Sequence, residues 1–328
     1  MSRTYFRPII SADVARPDVA VTCAGGWATH AEVLERGRAP QVVRVADVPA
    51  PDRAAWTVVP AGPPRIMGIV NATPDSFSDG GLHGDTQGAI AAGLAMAQAG
   101  AAILDVGGES TRPGAHPVST QDEIARTAPV IAGLRAQGFK GTISIDTRKA
   151  GVARSALAAG ADLINDVSGF THDPDLAGVA AAAGVPVCVM HGPFDPATMH
   201  DDPQYADVLL DVYDWLEGRI TALEAAGIAR AHITADPGIG FGKTQAHNLA
   251  LLARLGLFHG LGVPLLLGAS RKRFIGAIGG AAEPAARAPG SIAVGLGGIA
   301  QGVQTLRVHD VAQTAQAIAL WRASMAGS

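Results

Sequence analysis

The chain has 328 residues, of which 48% are hydrophobic and 16% are charged, and its formal net charge at pH 7 is −4. This composition indicates a compact globular protein with a substantial core and excludes a largely disordered chain. The slightly negative charge, without lysine or arginine blocks, gives no reason to expect nucleic acid or an anionic membrane as partner, and it favours a small-molecule substrate.

The first part of the chain differs in texture from the rest. Residues 1–60 contain scattered prolines and no regular alternation of strand and helix patterns. We predict one helix here, at residues 29–35, beginning from Thr29 as its cap. The proline-rich residues 49–64 predict a linker. The predicted organisation is therefore an N-terminal extension with its linker at 1–64 and a second domain at 65–328.

Cysteine usage and apolar segments bear on the compartment. Only Cys23 and Cys188 are present, without a CxxC pair, so neither a disulfide framework nor a thiolate metal site is indicated. The N-terminus lacks the uninterrupted apolar segment of a signal peptide. The longest apolar run, residues 176–190, is broken by two glycines and a proline and is too short to span a bilayer. We expect a cytoplasmic protein.

From residue 65 onward, short apolar segments alternate with segments rich in alanine and leucine. The predicted strands are 66–70, 102–106, 141–145, 163–165, 186–190, 232–235, 264–267 and 305–308. The predicted helices are 88–99, 119–136, 152–159, 175–183, 208–226, 249–255 and 291–301. Eight strands that alternate with helices predict an α/β fold, a (β/α)8 TIM barrel, which places catalytic groups at the carboxyl ends of the strands.

Nearly every predicted strand ends in a polar or ionisable side chain. These residues are Asn71, Asp105, Asp146, Asn165, Asp166, His191, Asp236, Ser270, Lys272, Arg307 and His309. An aspartate after a strand is by itself often only the cap of the next helix. In a closed barrel, however, all of these side chains converge on one mouth, and their number favours a functional site there.

The first barrel strand runs into a loop that is dense in ligand-type groups. Residues 66–81 read IMGIVNATPDSFSDGG, with an amide at Asn71, carboxylates at Asp75 and Asp79, and an aromatic ring at Phe77. An ordinary connection with turn residues remains an alternative for this stretch taken alone.

Two nucleotide-binding patterns fail on inspection. Residues 236–244, DPGIGFGKT, end like a phosphate-binding P-loop, but Pro237 stands where that motif needs a glycine. Gly295, Gly297 and Ala300 match a loose dinucleotide pattern, but they lie inside a predicted helix. Neither pattern predicts a nucleotide site.

Seven motifs carry a resemblance to a known family. They are MGIVNATPDSFSDGG at 67–81, LDVGGESTRPGA at 104–115, DTRKA at 146–150, INDVSGF at 164–170, DPGIGFGK at 236–243, GASRKRFIG at 268–276 and RVHDV at 307–311. In this order they resemble the dihydropteroate synthases. The resemblance implies a (β/α)8 barrel, usually a homodimer, that condenses 6-hydroxymethyl-7,8-dihydropterin diphosphate with p-aminobenzoate and releases pyrophosphate.

The resemblance also implies roles for residues at the strand ends. Asp146, Asn165, Asp236 and Lys272 would bind the pterin edge, whose donors and acceptors must all be matched in a buried site. Met190 and Phe241 would wall the ring, although simple core packing is an alternative. Arg307 and His309, which alternate along the last strand, would bind the diphosphate with Asn71, and Asn71 would contact its Mg²⁺.

The family reaction is thought to begin with ionisation at the pterin methylene. Asp105, together with Asp146 and Asp236, would favour the resulting cation. Two loops, 75–81 and 110–114, would close over the site and exclude water. Their residues Phe77, Thr111 and Pro113 would line the p-aminobenzoate pocket, with Asp79 paired to Arg112.

The chain departs from the family pattern at two places, and two other functions compete. Arg273 stands where a serine normally contacts the p-aminobenzoate carboxylate; it could bind this group or point outward. Residues 192–194 predict an altered fifth loop. The competing functions are a pterin-binding methyltransferase acting with a corrinoid and a catalytically silent pterin-binding protein. The diphosphate and p-aminobenzoate residues argue against both, and they are intact at Asn71, Asp79, Thr111, Arg112, Arg307 and His309.

Overall fold

The computed structural model describes residues 3–13, 15–58, 62–72, 81–110, 117–192, 198–199 and 201–326. The strands are β1 (Thr4–Pro8), β2 (Val21–Cys23), β3 (Gly26–Ala28), β4 (His30–Glu35), β5 (Gln41–Arg44), β6 (Arg65–Asn71), β7 (Ile103–Gly107), β8 (Thr142–Asp146), β9 (Leu163–Asp166), β10 (Val187–Met190), β11 (Ile233–Asp236), β12 (Leu266–Leu267) and β13 (Thr305–Val308). The helices are α1 (Ala50–Thr57), α2 (Gly81–Gln98), α3 (Thr120–Ala136), α4 (Ala150–Ala159), α5 (Leu176–Ala183), α6 (Val208–Ala225), α7 (Gln245–Ala253), α8 (Arg273–Gly279), α9 (Ala288–Ala300) and α10 (Val311–Ala326).

Strands β6 to β13 form one parallel sheet in the order β11-β10-β9-β8-β7-β6-β13-β12. A parallel bridge between Ala235 and Leu265 joins the two ends of this order, and the Ala235 N–H donates to Pro264 O at 2.9 Å. The sheet is thus closed, and the predicted (β/α)8 TIM barrel is confirmed. Each of the eight barrel strands begins and ends within two residues of its predicted bounds, whereas α8 and α10 were not predicted.

The strands are buried on both faces because helices cover the outside and side chains fill the inside. One interior layer is apolar and contains Met67, Ile103, Leu163, Cys188 and Leu266. Side chains two residues further along a strand point to the same face. The next interior positions on β7 and β9 are therefore Asp105 and Asn165, so the barrel changes from an apolar floor to a polar mouth.

The N-terminal region is mostly β structure, which makes the predicted helix at residues 29–35 wrong. β1, β4 and β5 form an antiparallel sheet in the order β1-β4-β5. The predicted helix at 29–35 is strand β4, because pairing with β1 and β5 on both sides outweighs the helix preference of its alanine, glutamates and leucine. The predicted linker contains α1, which is held by the fully buried side chain of Trp56 in a small separate core.

This region attaches to the barrel through aromatic and ionic contacts with α6 and its surroundings. Tyr5 packs edge-on against Tyr213 at 5.4 Å between ring centres and donates to Asp214 Oδ2 at 2.8 Å. Glu32 receives Arg7 Nε at 2.6 Å and Arg254 Nη2 at 3.0 Å. In the described residues, no helix is long and apolar enough to cross a membrane.

Candidate active site

A network of charged side chains crosses the barrel interior at the carboxyl ends of four strands. Arg307 on β13 donates from Nε to Asp105 Oδ2 on β7 and from Nη2 to Asp146 Oδ2 on β8, each at 2.6 Å. Asn165 on β9 donates from Nδ2 to the same Asp105 oxygen at 3.2 Å. Because β13 pairs with neither β7 nor β8, Arg307 joins strands that the sheet does not join directly.

This network carries an excess of negative charge. Asp105 is fully buried, and its Oδ1 has no hydrogen-bond partner among the described residues. Burial raises the pKa of Asp146 to about 7; Arg307 opposes this shift, and the charge of Asp105 adds to it. Burial disfavours the charged form of Arg307, but Asp105 and Asp146 hold its pKa above the ordinary value. One guanidinium therefore balances the charge of two carboxylates.

Asp236 ends β11 and forms the second acidic position of the mouth. Its Oδ1 accepts the backbone N–H of Gly238 at 2.7 Å, in a turn where Gly238 has φ +69°. Burial raises the pKa of Asp236 to about 6, and this N–H and Lys272 oppose the shift. The pKa of this buried carboxyl group therefore lies closer to neutral pH than that of an ordinary aspartate.

Lys243 forms hydrogen bonds within the loop that follows β11, and the sequence motifs predicted no role for it. Its Nζ lies 2.9 Å from Gly238 O, 3.0 Å from Phe241 O and 2.9 Å from His191 Nδ1. Burial lowers the pKa of Lys243 to about 7. The only signal for this role in the sequence is its position in the motif DPGIGFGK, which ends like a P-loop.

Phe241 and Lys272 are in contact at the mouth of the barrel. Lys272 Nζ lies 4.1 Å from the centre of the Phe241 ring, within the range of a cation–π contact. A Cβ on Gly240, which has φ +81°, would lie 2.9 Å from Lys272 Cδ, so a glycine is required beside this pair. Met190, which ends β10, is buried.

The residues that the family resemblance assigns to the diphosphate lie at the ends of β13 and β6. His309 lies two residues after Arg307, and its Nδ1 is 3.0 Å from Ser270 Oγ. The same oxygen accepts the backbone N–H of His309 at 3.2 Å, so Ser270 orients this imidazole. Asn71 is half-buried at the end of β6, which is the neighbour of β13 in the sheet.

The structure brings part of the predicted site together. Asp105, Asp146, Asn165 and Arg307 are in direct contact. Arg273 is exposed at the first position of α8. Five predicted site residues lie outside the described residues, namely Phe77, Asp79, Thr111, Arg112 and Pro113. Of the altered fifth loop, Gly192 packs where a Cβ would lie 2.4 Å from Val167 O, and residues 193–194 lie outside the described residues.

The magnesium ion implied by the resemblance can be tested against the donor groups. The described part of the chain contains no group of three or more His, Cys, Asp or Glu side chains that could hold a metal. Asn71 offers one amide oxygen at the mouth. One protein ligand of this kind fits Mg²⁺, provided that the substrate brings phosphate oxygens and water fills the other positions.

Comparison with known proteins relates this architecture to one family. A profile of the pterin binding enzymes matches residues 67–309. The dihydropteroate synthase of Escherichia coli K12 is 44% identical over 262 residues, which are 80% of this chain and 92% of the relative. That of Synechocystis is 45% identical over 261 residues, 78% of this chain and 90% of the relative.

Solved structures agree with these relatives. The Xanthomonas albilineans dihydropteroate synthase with 4-aminobenzoic acid is 48% identical, with a TM-score of 0.76, covering 80% of this chain and 94% of that one. The same enzyme in complex with 7,8-dihydropteroate is 45% identical, with a TM-score of 0.73 and the same coverage. Because the family profile spans residues 67–309 and these relatives agree with the chain in sequence and in fold, the chain belongs to the pterin binding enzyme family and, within it, to the dihydropteroate synthases.

Proposed function

We propose that the mouth of the barrel is where this transferase of folate biosynthesis joins 6-hydroxymethyl-7,8-dihydropterin diphosphate to p-aminobenzoate. The observation that carries the proposal is the network of Arg307 with Asp105 and Asp146 at the carboxyl ends of the strands. Solved relatives that contain 4-aminobenzoic acid or 7,8-dihydropteroate support both the substrate and the product.

The pterin edge would bind between Asp236 and the Asp146–Asn165 pair. A carboxylate accepts hydrogen bonds only, so ionised Asp236 suits the 2-amino and ring N–H groups of the aminopyrimidinone. Asn165 and Lys272 supply donors for its acceptor atoms. Phe241 and Met190 would form the walls of the pocket, and Lys243 would hold Phe241 in place through its carbonyl oxygen.

The diphosphate would bind at Arg307, His309 and Asn71. Arg307 is already oriented by two carboxylates, so little reorganisation is needed when negative charge develops on the leaving group. Asn71 would contribute one ligand to Mg²⁺, which when bound offsets part of the diphosphate charge.

Bond cleavage would precede bond formation. The bond between the methylene carbon and the diphosphate oxygen breaks, and its electron pair leaves with pyrophosphate. The carboxylates of Asp105, Asp146 and Asp236 stabilise the cation that remains. The aniline nitrogen of p-aminobenzoate then forms the new carbon–nitrogen bond and releases a proton.

The p-aminobenzoate pocket is proposed from the sequence motifs. Phe77, Thr111 and Pro113 would line it, with Asp79 paired to Arg112 in a closed arrangement that excludes water. Arg273 would reach the carboxylate of p-aminobenzoate; its position at the start of α8, directly after Lys272, supports this role.

Assembly, compartment and domain division are also proposals. We propose a homodimer in the cytoplasm, on the basis of the family resemblance. We also propose that the division lies between residues 64 and 65, two residues before the region matched by the family profile. Sedimentation of the purified chain would test the homodimer.

The direct test is incubation with the pterin diphosphate, Mg²⁺ and p-aminobenzoate, followed by mass detection of dihydropteroate. We expect product only when all substrates are present, and pyrophosphate in equal amount. Methyl transfer to a corrinoid without dihydropteroate formation would instead support the methyltransferase. Pterin binding without either reaction would support the silent binding protein.

A further inference from the structure

Arg271, which follows β12, has an unusual backbone conformation for a residue with a side chain. Its φ is +58°, in the left-handed region, where the Cβ of an L-residue is crowded by the backbone. A residue other than glycine keeps such a conformation only when the surrounding contacts hold it there, and such residues cluster at functional sites. In the chain it stands between Ser270 and Lys272, two residues of the mouth.

Hydrogen bonds from three directions hold Arg271 in place. Its backbone N–H donates to Ser291 Oγ at 2.8 Å, and its carbonyl oxygen accepts Arg287 Nη1 at 3.0 Å. Its side chain donates from Nε to Asp310 Oδ2 at 3.0 Å and from Nη2 to Asp310 Oδ1 at 2.5 Å. The two side chains of this ion pair are 29% and 10% exposed. A bidentate pair of this kind fixes direction as well as distance.

Side-chain contacts continue the pairing of β12 with β13 towards the mouth. Residues 39 apart in the chain, such as Leu267 and Leu306, lie opposite each other in the two strands. The same separation of 39 residues recurs in the contact of Ser270 with His309 and in the ion pair of Arg271. Two side-chain contacts therefore keep the ends of β12 and β13 in register beyond the last pair of strand residues.

This ion pair stands between two groups that the proposed function assigns to different halves of one substrate. Lys272, directly after Arg271, is assigned to the pterin. His309, directly before Asp310, is assigned to the diphosphate. The bond that breaks lies between these halves, so the separation of the two groups has to match the substrate. A shift of one strand end would leave each half of the site able to bind but would move the reacting atoms out of line.

We propose that Arg271 is a positioning residue, which through its ion pair with Asp310 holds Lys272 and His309 at the separation that the intact pterin diphosphate requires. This inference rests on the proposed function of the mouth. Ligands that occupy only one half of the site, such as the dihydropterin or pyrophosphate, do not depend on this separation. The substrate that spans both halves does, because a site held in its bound geometry needs less ordering when the ligand binds.

The test is the variant Arg271→Met, which keeps an unbranched side chain and removes the fork to Asp310. We expect the affinity for the intact pterin diphosphate, measured by calorimetry, to fall at least about tenfold, since small displacements of positioning groups have large effects. The affinity for the dihydropterin, measured by fluorescence, and product inhibition by pyrophosphate should each stay within about twofold of the parent values. A loss shared by either of these half-ligands would show that the pair supports one half of the site alone, and would overturn the inference.

The matched control is Arg254→Met, which breaks an ion pair of similar exposure, 35% and 9%, between the end of α7 and the N-terminal region. We expect the affinities for all three ligands to stay within about twofold of the parent values, because the partner of Arg254 is Glu32 on β4. A fall for the intact substrate equal to that of Arg271→Met would show that a general loss of stability is responsible, and would overturn the inference.

A second variant keeps the result decisive if Arg271→Met does not fold. The double variant Arg271→Met with Asp310→Leu removes both charges and so leaves no partly buried charge without its partner. The same loss, confined to the intact substrate, is expected. An inactive parent enzyme would refute the proposed function, whereas an active parent whose variants bind the intact substrate normally would refute this inference alone.

Discussion

Arg307 is the residue on which the charge balance of the mouth depends. It lies between the carboxylates of Asp105 and Asp146, and the proposed function assigns it to the leaving diphosphate. The loss of this side chain would remove the stabilisation of the leaving group and would leave Asp105 and Asp146 as neighbouring carboxylates without a shared cation.

We therefore expect Arg307→Ala to lower turnover at least about 10²-fold, which is the scale found when one group that stabilises transition-state charge is removed. Release of pyrophosphate from the pterin diphosphate measures this directly. Arg307→Lys keeps the charge but cannot reach both carboxylates in a planar fork, and it should fall between parent and alanine variant. Near-normal pyrophosphate release by the alanine variant would contradict the assignment.

We expect Asp236 to make pterin binding depend on pH. Burial raises its pKa from 3.8 to about 6, and only the ionised carboxylate accepts from both pterin donors. Affinity for the dihydropterin should thus fall as pH drops through about 6, approaching a tenfold loss per pH unit. Fluorescence titration with the pterin lacking its diphosphate measures this without titrating phosphate oxygens. Asp236→Asn should bind weakly and lose this dependence; a parent affinity that is constant from pH 5 to 8 would contradict it.

The same shift in the pKa of Asp236 has a consequence for stability. A carboxyl group whose folded-state pKa is above its unfolded value makes a contribution to stability that is fully present below pH 3.8. This contribution is lost as the pH rises through about 6. Asp236→Asn should raise the free energy of unfolding at pH 8 by roughly 3 kcal/mol, from a shift of about two pKa units, and should change little at pH 4. Denaturant unfolding at the two pH values checks this. Equal gains at both would show that the charge is not responsible.

At the scale of elements, the loop after β6 is assigned to p-aminobenzoate by its motif. Residues 73–80 lie outside the described residues, so the prediction follows from the sequence. Asp79→Ala should raise KM for p-aminobenzoate by about tenfold or more, because the proposed pair with Arg112 would be lost. Binding of the pterin diphosphate, measured by calorimetry, is the internal control. Equal weakening of both substrates would contradict this role.

The elements that the sequence predicted well are those whose pattern is local. A run of buried Val, Ile and Leu between two helical segments predicts a parallel strand, and the eight barrel strands followed this rule. β4 could not be found in this way. Its residues favour a helix, and it is a strand because it pairs with β1 and β5, which lie outside its own segment.

The site shows the same division between local and distant information. Asp105, Asp146 and Arg307 stand at or near the ends of predicted strands, and this position alone predicts that they meet at one mouth of the barrel. The pairing of Arg307 with Asp105, 202 residues apart, depends on the width of the barrel and on side-chain length. Lys243 was missed for a similar reason, because its role depends on His191 from another strand and on the path of the loop between them.

At the scale of the whole molecule, Glu32 connects the N-terminal region to the barrel. Its side chain is 9% exposed and forms ion pairs with Arg7 of β1 and with Arg254, the residue directly after α7. Glu32→Ala should lower the free energy of unfolding by about 1–3 kcal/mol, since two partly buried arginines lose their partner. Activity at 25 °C should be retained.

The matched control for Glu32→Ala is Arg44→Ala, which breaks the exposed pair with Asp47 in the same region. We expect it to leave the free energy of unfolding close to the parent value, because exposed ion pairs contribute little. Thermal unfolding of both variants compares the two. Equal effects would show that burial of the Glu32 pairs is not what stabilises the attachment.

The closure of the barrel has a consequence for its motions. β12 has only two residues, and the described contact between β11 and β12 is a single bridge, Ala235 to Leu265. A seam with so few backbone hydrogen bonds should open locally at a lower free energy than the rest of the barrel, and its amides should exchange with solvent first. Asp236 and Lys272 lie just beyond the two sides of this seam. A bound pterin that contacts both would span it, so ligand binding should slow hydrogen exchange there more than elsewhere in the barrel.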